Sequence, residues 1–510
     1  MLALLFGQLA SLARSILVAG TFGASPELDA FTAANRVSET LFLLVAGGAL
    51  GSAFIPTFTG LLAHNEKEAA WKLASALANA VTLTLSLLAV LLAIFAPQVV
   101  RDALAPGFAE KPELFALTIS LLRIQLISAI LFGLGGLIVG ILNAHQVFFI
   151  PALTPAMYQL GIIFGAVVLA PTMGIYGLAW GVVLGALAYL LVQIPTLIKQ
   201  RGTYRLTLGL ENPNVRKVVL LMGPRLLGVA VVQLNFWVNT RLASQMEEGS
   251  VASLGFAFSL MIMAQAAIAQ SVAIAAMPTF SAQHALGKQD EMRTSLAASL
   301  RGVLLLALPA TVGLIMLREP IISFLYQRGK FDAQDVQLAA WALLWYAAGL
   351  VGHSVMEVLT RAFYAQHDTK TPVLIGMIAM GLNIIFSFMF AWLFRQVGWL
   401  PHGGLGLANS LATALEATAL FIFMRQRLNG LEERSIRRGF IDGAAASLAM
   451  GIGLWFWLQT TGSLSRWVVT LGGVAIGGSI YLLSVMLLRV PEFQMVIDSI
   501  MKRLLPAGSE

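Results

Sequence analysis

A long apolar unit occurs twice in this chain, and the two copies are offset by about 222 positions. Pro56-Thr57-Phe58 closes an apolar segment in the first copy, and Pro278-Thr279-Phe280 closes one in the second. Asn143-Ala144-His145-Gln146 leads into a proline, as does Tyr364-Ala365-Gln366-His367 at an offset of 221. Similar helical bundles fused in one chain are typical of secondary transporters, which place the substrate site between the repeats. The repeat therefore predicts movement of a solute across a bilayer rather than chemistry on a substrate.

The composition places both copies in a membrane. Hydrophobic residues make up 58% of the 510 residues, charged residues only 11%, and the mean hydropathy is +0.82. Soluble domains carry about 25% charged residues, so an ordinary soluble protein is excluded. A helix needs about 20 apolar residues to cross a bilayer, and this length allows roughly fourteen spans joined by short loops.

Fourteen apolar segments can be assigned as membrane spans. They cover residues 2–22, 30–61, 70–97, 114–142, 147–170, 173–199, 214–245, 250–281, 294–317, 335–365, 371–394, 403–427, 437–459 and 467–488. We predict an all-α polytopic membrane protein with two six-helix bundles, residues 1–200 and 201–428, and two additional helices within 429–510. Six spans per half is an even number, so a pseudo-two-fold axis along the membrane normal should relate the halves. Apolar residues at helical spacing over 491–505 predict a final helix on the membrane interface.

The basic residues predict the orientation of the chain. Nineteen of the 32 lysines and arginines fall in loops on one side of the predicted spans, and eight fall on the other. Cytoplasmic loops are enriched in lysine and arginine, so both termini should be cytoplasmic. These loops explain the net charge of +7, and we expect no nucleic-acid partner. The chain has no cysteine, which excludes disulfides and thiol chemistry.

Sequence signatures of enzymes are absent. There is no phosphate-binding loop of the Walker type, and the six histidines show no HExxH or paired metal spacing. No nucleophile–base pattern can be read from the serines and aspartates. We expect a protein that is not an enzyme, has no cofactor and has no certain metal site.

Several charged side chains within the predicted spans are candidate substrate contacts. A charge at bilayer depth costs roughly 2.5–3.5 kcal/mol on insertion scales, so each needs a partner or a role. Arg14 lies in the middle of the first span, where it either faces a substrate in an aqueous cavity or forms a structural ion pair. Asp29, Arg36 and Glu39 follow one face of the second span and either pair with one another or line the same cavity. Arg225 follows a Gly-Pro pair at a predicted helix break in the seventh span.

Other polar side chains in the second half are candidates for ion coupling. Glu357 and Glu416 lie in different spans, where they either carry protons or a cation or pair with a neighbouring histidine or arginine. The amides of Asn235, Asn239 and Asn383 either supply oxygen atoms to Na⁺ or form interhelical hydrogen bonds.

One stretch of the second half resembles the signature of a known family. The segment Val358-Leu359-Thr360-Arg361-Ala362-Phe363-Tyr364-Ala365-Gln366-His367-Asp368-Thr369-Lys370-Thr371-Pro372 is similar to that of the MurJ (MviN) lipid II flippases. Supporting matches are Leu325-Tyr326-Gln327-Arg328-Gly329-Lys330-Phe331, Phe22-Gly23-Ala24 with Leu28-Asp29-Ala30-Phe31, and Ser52-Ala53-Phe54-Ile55-Pro56. This family belongs to the multidrug/oligosaccharidyl-lipid/polysaccharide exporter superfamily.

The resemblance implies a function and a place in the cell. The chain would flip lipid II, the undecaprenyl-pyrophosphate-linked disaccharide-pentapeptide, from the cytoplasmic to the outer leaflet of a bacterial cytoplasmic membrane by alternating access. The pyrophosphate is anionic, so arginines in the cavity could hold it by charge-assisted hydrogen bonds. The expected partners are lipid II, or a similar polyprenyl-pyrophosphate-linked glycan, and membrane lipids, with the chain itself monomeric. Na⁺ coupling, H⁺ coupling or the membrane potential would drive the cycle.

The family's charged positions are only partly kept. Arg14 and Asp29 match the first-helix arginine and the acid that opens the second helix, and Arg36 matches a basic position in the second helix. The positions that depart from the family's basic or acidic residues are Gln8, Phe42-Leu43, Gly47 and Phe258-Ser259. Several of these changes remove charge from the implied headgroup site, and Arg225 is the candidate replacement.

The resemblance also implies an ion site. Some members of the family place Na⁺ between the seventh, eleventh and twelfth spans, and the nearest positions here are Asn239, Asn383 and Ser387. Asn239 stands where an acid would be expected, which removes a negative charge from that site.

Four other interpretations stay open beside lipid II transport. A flippase of another polyprenyl-linked oligosaccharide would suit the altered arginines. A cation-coupled small-molecule exporter would show pH-dependent efflux without any need for a lipid tail. A polyprenyl-phosphate enzyme would release a cleaved product from labelled lipid, and a membrane scaffold would bind partners without moving lipid.

Overall fold

The computed structural model describes residues 2–44, 53–209, 211–462 and 464–491, and these residues form helices without strands. The main helices are α1 (Leu2–Phe22), α2 (Pro26–Phe42), α3 (Ile55–Ala63), α4 (Lys67–Ile94), α5 (Pro112–Ala144), α6 (Phe149–Phe164), α7 (Ile175–Leu191), α8 (Pro213–Ala243), α9 (Ser250–Gln265), α10 (Ser271–Ala285), α11 (Gln289–Met316), α12 (Arg318–Tyr326), α13 (Ala333–Ala348), α14 (Leu350–Ala365), α15 (Lys370–Gln396), α16 (His402–Arg427), α17 (Glu433–Thr461) and α18 (Arg466–Leu487). Short helical turns cover Ala96–Gln98, Val99–Leu104, Pro106–Glu110, Gly165–Leu169, Ala170–Met173, Ile194–Lys199 and Ala266–Gln270.

The described helices confirm an all-α membrane protein. Ten are long and apolar enough to cross a bilayer, and the number rises to twelve if each of two bent pairs forms one span. These twelve correspond to the third to fourteenth predicted spans. The first predicted span is helix α1, while the second contains residues 45–52, outside the described residues. The total of fourteen stays a prediction, as does the interfacial helix over 491–505, because the described residues end at 491.

The predicted span over 335–365 is bent rather than a single straight helix. Helices α13 and α14 occupy it with a bend of 45° between them. Gly349 lies at the break, and a Cβ atom there would come within 2.5 Å of Ser410 Oγ on α16. The bend arises where the chain must approach α16 without a side chain, which hydropathy cannot reveal.

Contacts divide the chain into two compact units. The first comprises Met1–Ser253 with Tyr326–Asp335, and the second comprises Leu254–Leu325 with Val336–Glu510. Helix α8 therefore groups with the first unit. The boundaries predicted from the repeat (1–200, 201–428 and 429–510) describe similarity along the sequence, which a division by contacts does not test, and they stay a prediction.

The first unit has a core cluster at one end of helices α3, α4 and α5. Phe54 and Phe58 pack there against Leu73, Leu137 and Ile141, and all five side chains are buried. The proline motif at 56–58 therefore ends with its phenylalanine in the core, where the ring packs against neighbouring helices.

The second unit repeats this arrangement with α10, α11 and α14. Phe280, Leu359 and Phe363 are buried together there, at positions 222 residues after Phe58, Leu137 and Ile141. The loops that follow also match, since Gln146 and His367 both adopt positive φ angles, 59° and 60°. The sequence repeat thus corresponds to a repeat of packing.

Two further features complete the units. In the second unit, α17 and α18 pack on α11 through a cluster that includes Leu305, Met450 and Val485. In the first unit, the short stretch 326–335 is bound to the end of α1, because the Lys330 N–H donates to the Gly20 carbonyl at 2.9 Å. Gly329 has a φ of 57°, and a Cβ atom there would lie 2.1 Å from the Gly20 oxygen, so glycine is required.

Candidate functional site

Arg14 lies on α1 of the first unit, where its side chain is half-buried. Its Nη2 atom lies 3.5 Å from Ser15 Oγ, and within the described parts of the chain it forms no ion pair. Its charge acts on the phenol groups of Tyr158 and Tyr326 in the same unit. An arginine without a carboxylate partner among the described residues has donors available to an anion, and the substrate contact stays a prediction.

Arg36 belongs to a polar cluster on one face of α2. Its Nη1 atom pairs with Glu39 Oε2 at 3.0 Å, and Asn35 Nδ2 donates to the other carboxylate oxygen at 2.9 Å. The Arg36 guanidinium also lies over the Phe236 ring, 4.8 Å from its centroid. The intrahelical pairing predicted for this stretch is therefore present between Arg36 and Glu39, and Arg36 is less available to a ligand than Arg14.

Asp29 lies in a different environment. Its carboxylate accepts hydrogen bonds from the N–H groups of Gly249 and Ala252, both at 2.7 Å, and the residue is 2% exposed. These are the N-cap and third residues of α9, so Asp29 does from a distant helix what a capping box does locally. The structure assigns it a structural task, and its substrate contact stays a prediction.

Of the other positions predicted to bear on the substrate site, some lie within the described residues and some lie outside them. The side chain of Arg225 lies outside the described residues, as does Gly47. Gln8 is exposed on α1. Phe42 packs its ring 4.9 Å from that of Phe132. Position 42, which the resemblance implied to be basic in the family, is thus occupied by aromatic packing here.

A cavity of about 400 Å³ lies beside this cluster, between α2, α5, α6 and α7. The rings of Phe42, Phe132, Tyr158 and Tyr189 line it. Prediction from sequence missed these residues as a set. The available signal was that Tyr158 and Tyr189 interrupt the apolar spans 147–170 and 173–199, where a buried hydroxyl needs a partner. Tyr158 finds that partner in the Asn35 side chain.

In the second unit, the two candidate carboxylates differ. Glu357 pairs with Arg361 at 3.1 Å, one turn away on α14, as one interpretation predicted. Glu416 on α16 is 8% exposed and forms neither an ion pair nor a hydrogen bond with the described residues. His353 bonds instead to Asn409 Oδ1, at 3.0 Å from its Nε2 atom.

The side chains at the candidate sodium positions form hydrogen bonds within their own helices. Asn239 Nδ2 donates to Asn235 Oδ1 at 3.3 Å in the first unit, and Ser387 Oγ donates to Asn383 Oδ1 at 3.2 Å in the second. Within the described ranges, no group of three or more histidine, aspartate or glutamate side chains is arranged to hold a metal ion. The ion-coupling roles stay predictions.

Sequence comparison places the chain among known proteins. The model of the family described as "Lipid II flippase MurJ" matches residues 18–471. The lipid II flippase MurJ of Burkholderia cenocepacia is 31% identical over 459 residues, which cover 89% of this chain and 87% of the relative. The probable lipid II flippase MurJ of Vibrio cholerae is 31% identical over 505 residues, 95% and 94% of the two chains. The resemblance found in the signature segment is confirmed.

Structural comparison agrees with the sequence. A lipid II flippase MurJ in an inward closed conformation superposes with a TM-score of 0.82 and 26% identity, covering 96% of this chain and 98% of the other. An inward-facing multidrug transporter of the MATE family, in the MOP superfamily, gives a TM-score of 0.68 at 18% identity, covering 83% and 94%. The second likeness shows a shared fold.

Proposed function

The chain belongs to the MurJ lipid II flippase family, and we propose that it moves lipid II from the cytoplasmic to the outer leaflet of a bacterial cytoplasmic membrane. The observation that carries this proposal is the family match over residues 18–471. Its multi-pass helical fold supports transport rather than catalysis, because the described helices provide ten to twelve membrane spans. The transporter would work as a monomer by alternating access, with both termini in the cytoplasm.

Arg14 is the proposed contact for the pyrophosphate. Its lack of an ion pair among the described residues leaves its donors available, and a guanidinium matches phosphate oxygens with two parallel hydrogen bonds. Arg36 on α2 would add a second positive charge, although one nitrogen of its guanidinium group already pairs with Glu39. Arg225 would compensate for the basic residues absent at positions 8, 42 and 259. Asp29 would support the site indirectly through its cap on α9.

The energy source is proposed as proton coupling, membrane potential or a sodium gradient. Glu416 supports the first, because a buried carboxyl without a partner among the described residues is stable there when it carries a proton. Proton coupling can be tested by measuring lipid translocation in liposomes under an imposed pH gradient, for the wild type and for Glu416→Gln. A response unchanged in that variant would leave membrane potential or sodium as the driving force.

The test of function is rescue of a bacterium depleted of its own lipid II flippase. Growth would be read together with access of an outside-acting probe to lipid II. We expect the wild type to restore both. Arg14→Ala should restore neither at equal membrane levels, since losing a charge-assisted hydrogen bond costs about 1.5–3 kcal/mol, roughly ten- to a hundredfold in affinity. Arg225→Ala should fail to the same degree.

Arg123→Ala is the matched control for these arginine variants. Arg123 also lies within a span, but it is exposed and donates from Nε to the Ala93 carbonyl at 3.1 Å. It should rescue normally. A wild type that reaches the membrane without restoring growth would count against lipid II as the substrate. It would favour another polyprenyl-linked glycan, with the departures at Gln8, Phe42 and Ser259 as the reason.

A further inference from the structure

Four aromatic rings surround one side of the cavity in the first unit. Phe132 occupies the middle, with ring centroids 4.9 Å from Phe42, 4.9 Å from Tyr158 and 5.3 Å from Tyr189. The rings come from α2, α5, α6 and α7, so four helices fix them in place. At about 400 Å³, the cavity is near the lower end of ligand pockets, which run to about 1,000 Å³. It can hold one ring-sized group but not a whole glycopeptide.

Polar side chains from α2 and α5 also line the cavity. Ser38 lines it, is only 2% exposed, and its Oγ atom has no hydrogen-bond partner among the described residues. Asn35 and Glu39 lie one turn or less away on α2 and also line it, and Ser128 does so from α5. A buried hydroxyl without a partner is costly, and at the wall of a cavity a ligand can supply the missing hydrogen bond.

The chemistry of this lining favours a sugar ring over the alternatives. A pyranose has apolar faces that can stack on aromatic rings and an edge of hydroxyls that can bond to Ser38, Asn35 and Glu39. An ammonium group would need a free carboxylate, but the charge of Glu39 is already matched by Arg36 at 3.0 Å. A hydrocarbon chain would leave the Ser38 hydroxyl unsatisfied.

We propose that this aromatic cavity binds one pyranose ring of the lipid-linked headgroup, as a sugar subsite separate from the pyrophosphate contact at Arg14. The inference rests on the proposed function and deepens it. Recognition of the headgroup is then divided between charge at α1 and stacking between α2, α5, α6 and α7.

The experiment compares two lipids that differ only in the glycopeptide. Binding of lipid II and of undecaprenyl pyrophosphate to the purified full-length protein in detergent would be measured for each variant. Ser38→Ala and Phe42→Leu should weaken lipid II binding by roughly two- to tenfold and leave undecaprenyl pyrophosphate binding unchanged. Arg14→Ala should weaken both lipids by the same factor.

Stability separates binding from folding in these variants. Because the Ser38 hydroxyl has no partner within the described protein, Ser38→Ala should unfold at the wild-type temperature or above it. The matched controls are Ser447→Ala, which removes a similarly buried and unpartnered hydroxyl from α17, and Phe164→Leu, which changes an exposed ring on α6. Neither control should alter the binding of either lipid.

Two results would overturn the sugar subsite. Equal losses for both lipids in Phe42→Leu would show that the cavity holds part of the lipid tail. Unchanged lipid II binding in both cavity variants would show that it holds nothing from the headgroup. Failure of the wild type to bind either lipid, or to rescue growth, would instead remove the proposed function on which the subsite depends.

Discussion

At the scale of single residues, Asp29 shows how a residue predicted as a substrate contact can serve the fold. Its two carboxylate oxygens accept the N–H groups of Gly249 and Ala252, and Gly249 needs its φ of 83° to present that N–H group. The chain separation is more than 200 residues, so this cap joins α2 to the start of α9. An acid at this position therefore holds two distant helices together within the first unit.

We predict a graded loss of stability at Asp29. Asp29→Ala leaves two buried N–H groups without acceptors and should destabilise the protein by about 1–3 kcal/mol, while Asp29→Asn keeps one carbonyl oxygen and should fall between. Thermal unfolding of the purified protein in detergent would give the order. Transport per folded molecule should stay near normal. A stable Asp29→Asn variant with abolished transport would instead reveal a direct substrate contact.

Asp368, inside the family signature, has a second structural role. Its Oδ1 atom accepts the N–H groups of Lys370 and Thr371, both at 3.0 Å, and its Oδ2 atom pairs with Arg427 at 2.7 Å. Partial burial works in the opposite direction, but the bonds from Thr371 and the charge of Arg427 lower the pKa of Asp368 to about 2. The loop between α14 and α15 is thereby fixed to the end of α16.

This pKa sets a pH dependence. A carboxyl whose folded pKa lies below its unfolded value of about 3.9 stabilises the protein above that value, and the stabilisation is lost as pH falls towards about 2. Asp368→Asn should therefore lower the unfolding temperature at neutral pH, and the difference from wild type should shrink between about pH 4 and about pH 2. Asp290→Asn, at an acid whose side chain is 90% exposed, should change little at any pH.

At the scale of elements, the bend between α13 and α14 is a matter of close packing. Gly349 faces Ser410, whose Cα atom would lie 2.8 Å from an added Cβ, and Gly352 packs against Ala414 one turn later. Two glycines on one face let α14 lie close to α16. The same helix then carries Leu359 and Phe363 into the core of the second unit.

We predict that Gly349→Ala destabilises the protein by about 1–3 kcal/mol, because the new methyl group would overlap both the side chain and the backbone of Ser410, with the Cα atom only 2.8 Å away. Gly381→Ala on α15 is the control, since nothing lies within 4 Å of a Cβ atom there. That change should be neutral or stabilise by up to about 1 kcal/mol through helix propensity. Thermal unfolding of both variants measures the contrast, and equal behaviour would show that the bend does not depend on Gly349.

At the scale of the whole molecule, the absence of cysteine makes the predicted orientation directly testable. Single-cysteine variants at the exposed positions Glu110 and Lys288 lie in loops predicted on opposite sides of the membrane. A membrane-impermeant maleimide should label Glu110→Cys in intact spheroplasts and Lys288→Cys only after permeabilisation. The reverse pattern would invert the topology and with it the proposed direction of transport.

The repeat and the membrane spans could be predicted from sequence because both depend on the pattern of apolar residues within short stretches of the chain. Twelve of the fourteen predicted spans correspond to described helices that are long and apolar enough to cross a bilayer, if each of the two bent pairs counts as one span. The offset that links Phe58 to Phe280 and Leu137 to Leu359 is also a repeat of buried positions. The signature segment identified the family because it is one contiguous stretch of sequence. Leu359 and Phe363 within it serve packing, and Asp368 fixes the loop that follows α14.

The candidate site could be predicted from sequence only in part. Arg14 and Arg36 were visible because a charge inside an apolar span is conspicuous, and the pairing of Arg36 with Glu39 follows from their spacing on one helix. The cap that Asp29 forms, the bend at Gly349 and the meeting of Phe42 with Tyr189 depend on which helices pack together. Sequence alone thus determined that this chain crosses a membrane repeatedly, in two similar halves. Tertiary structure decided which polar groups are already satisfied and which stay available, because that depends on contacts between residues far apart in the chain.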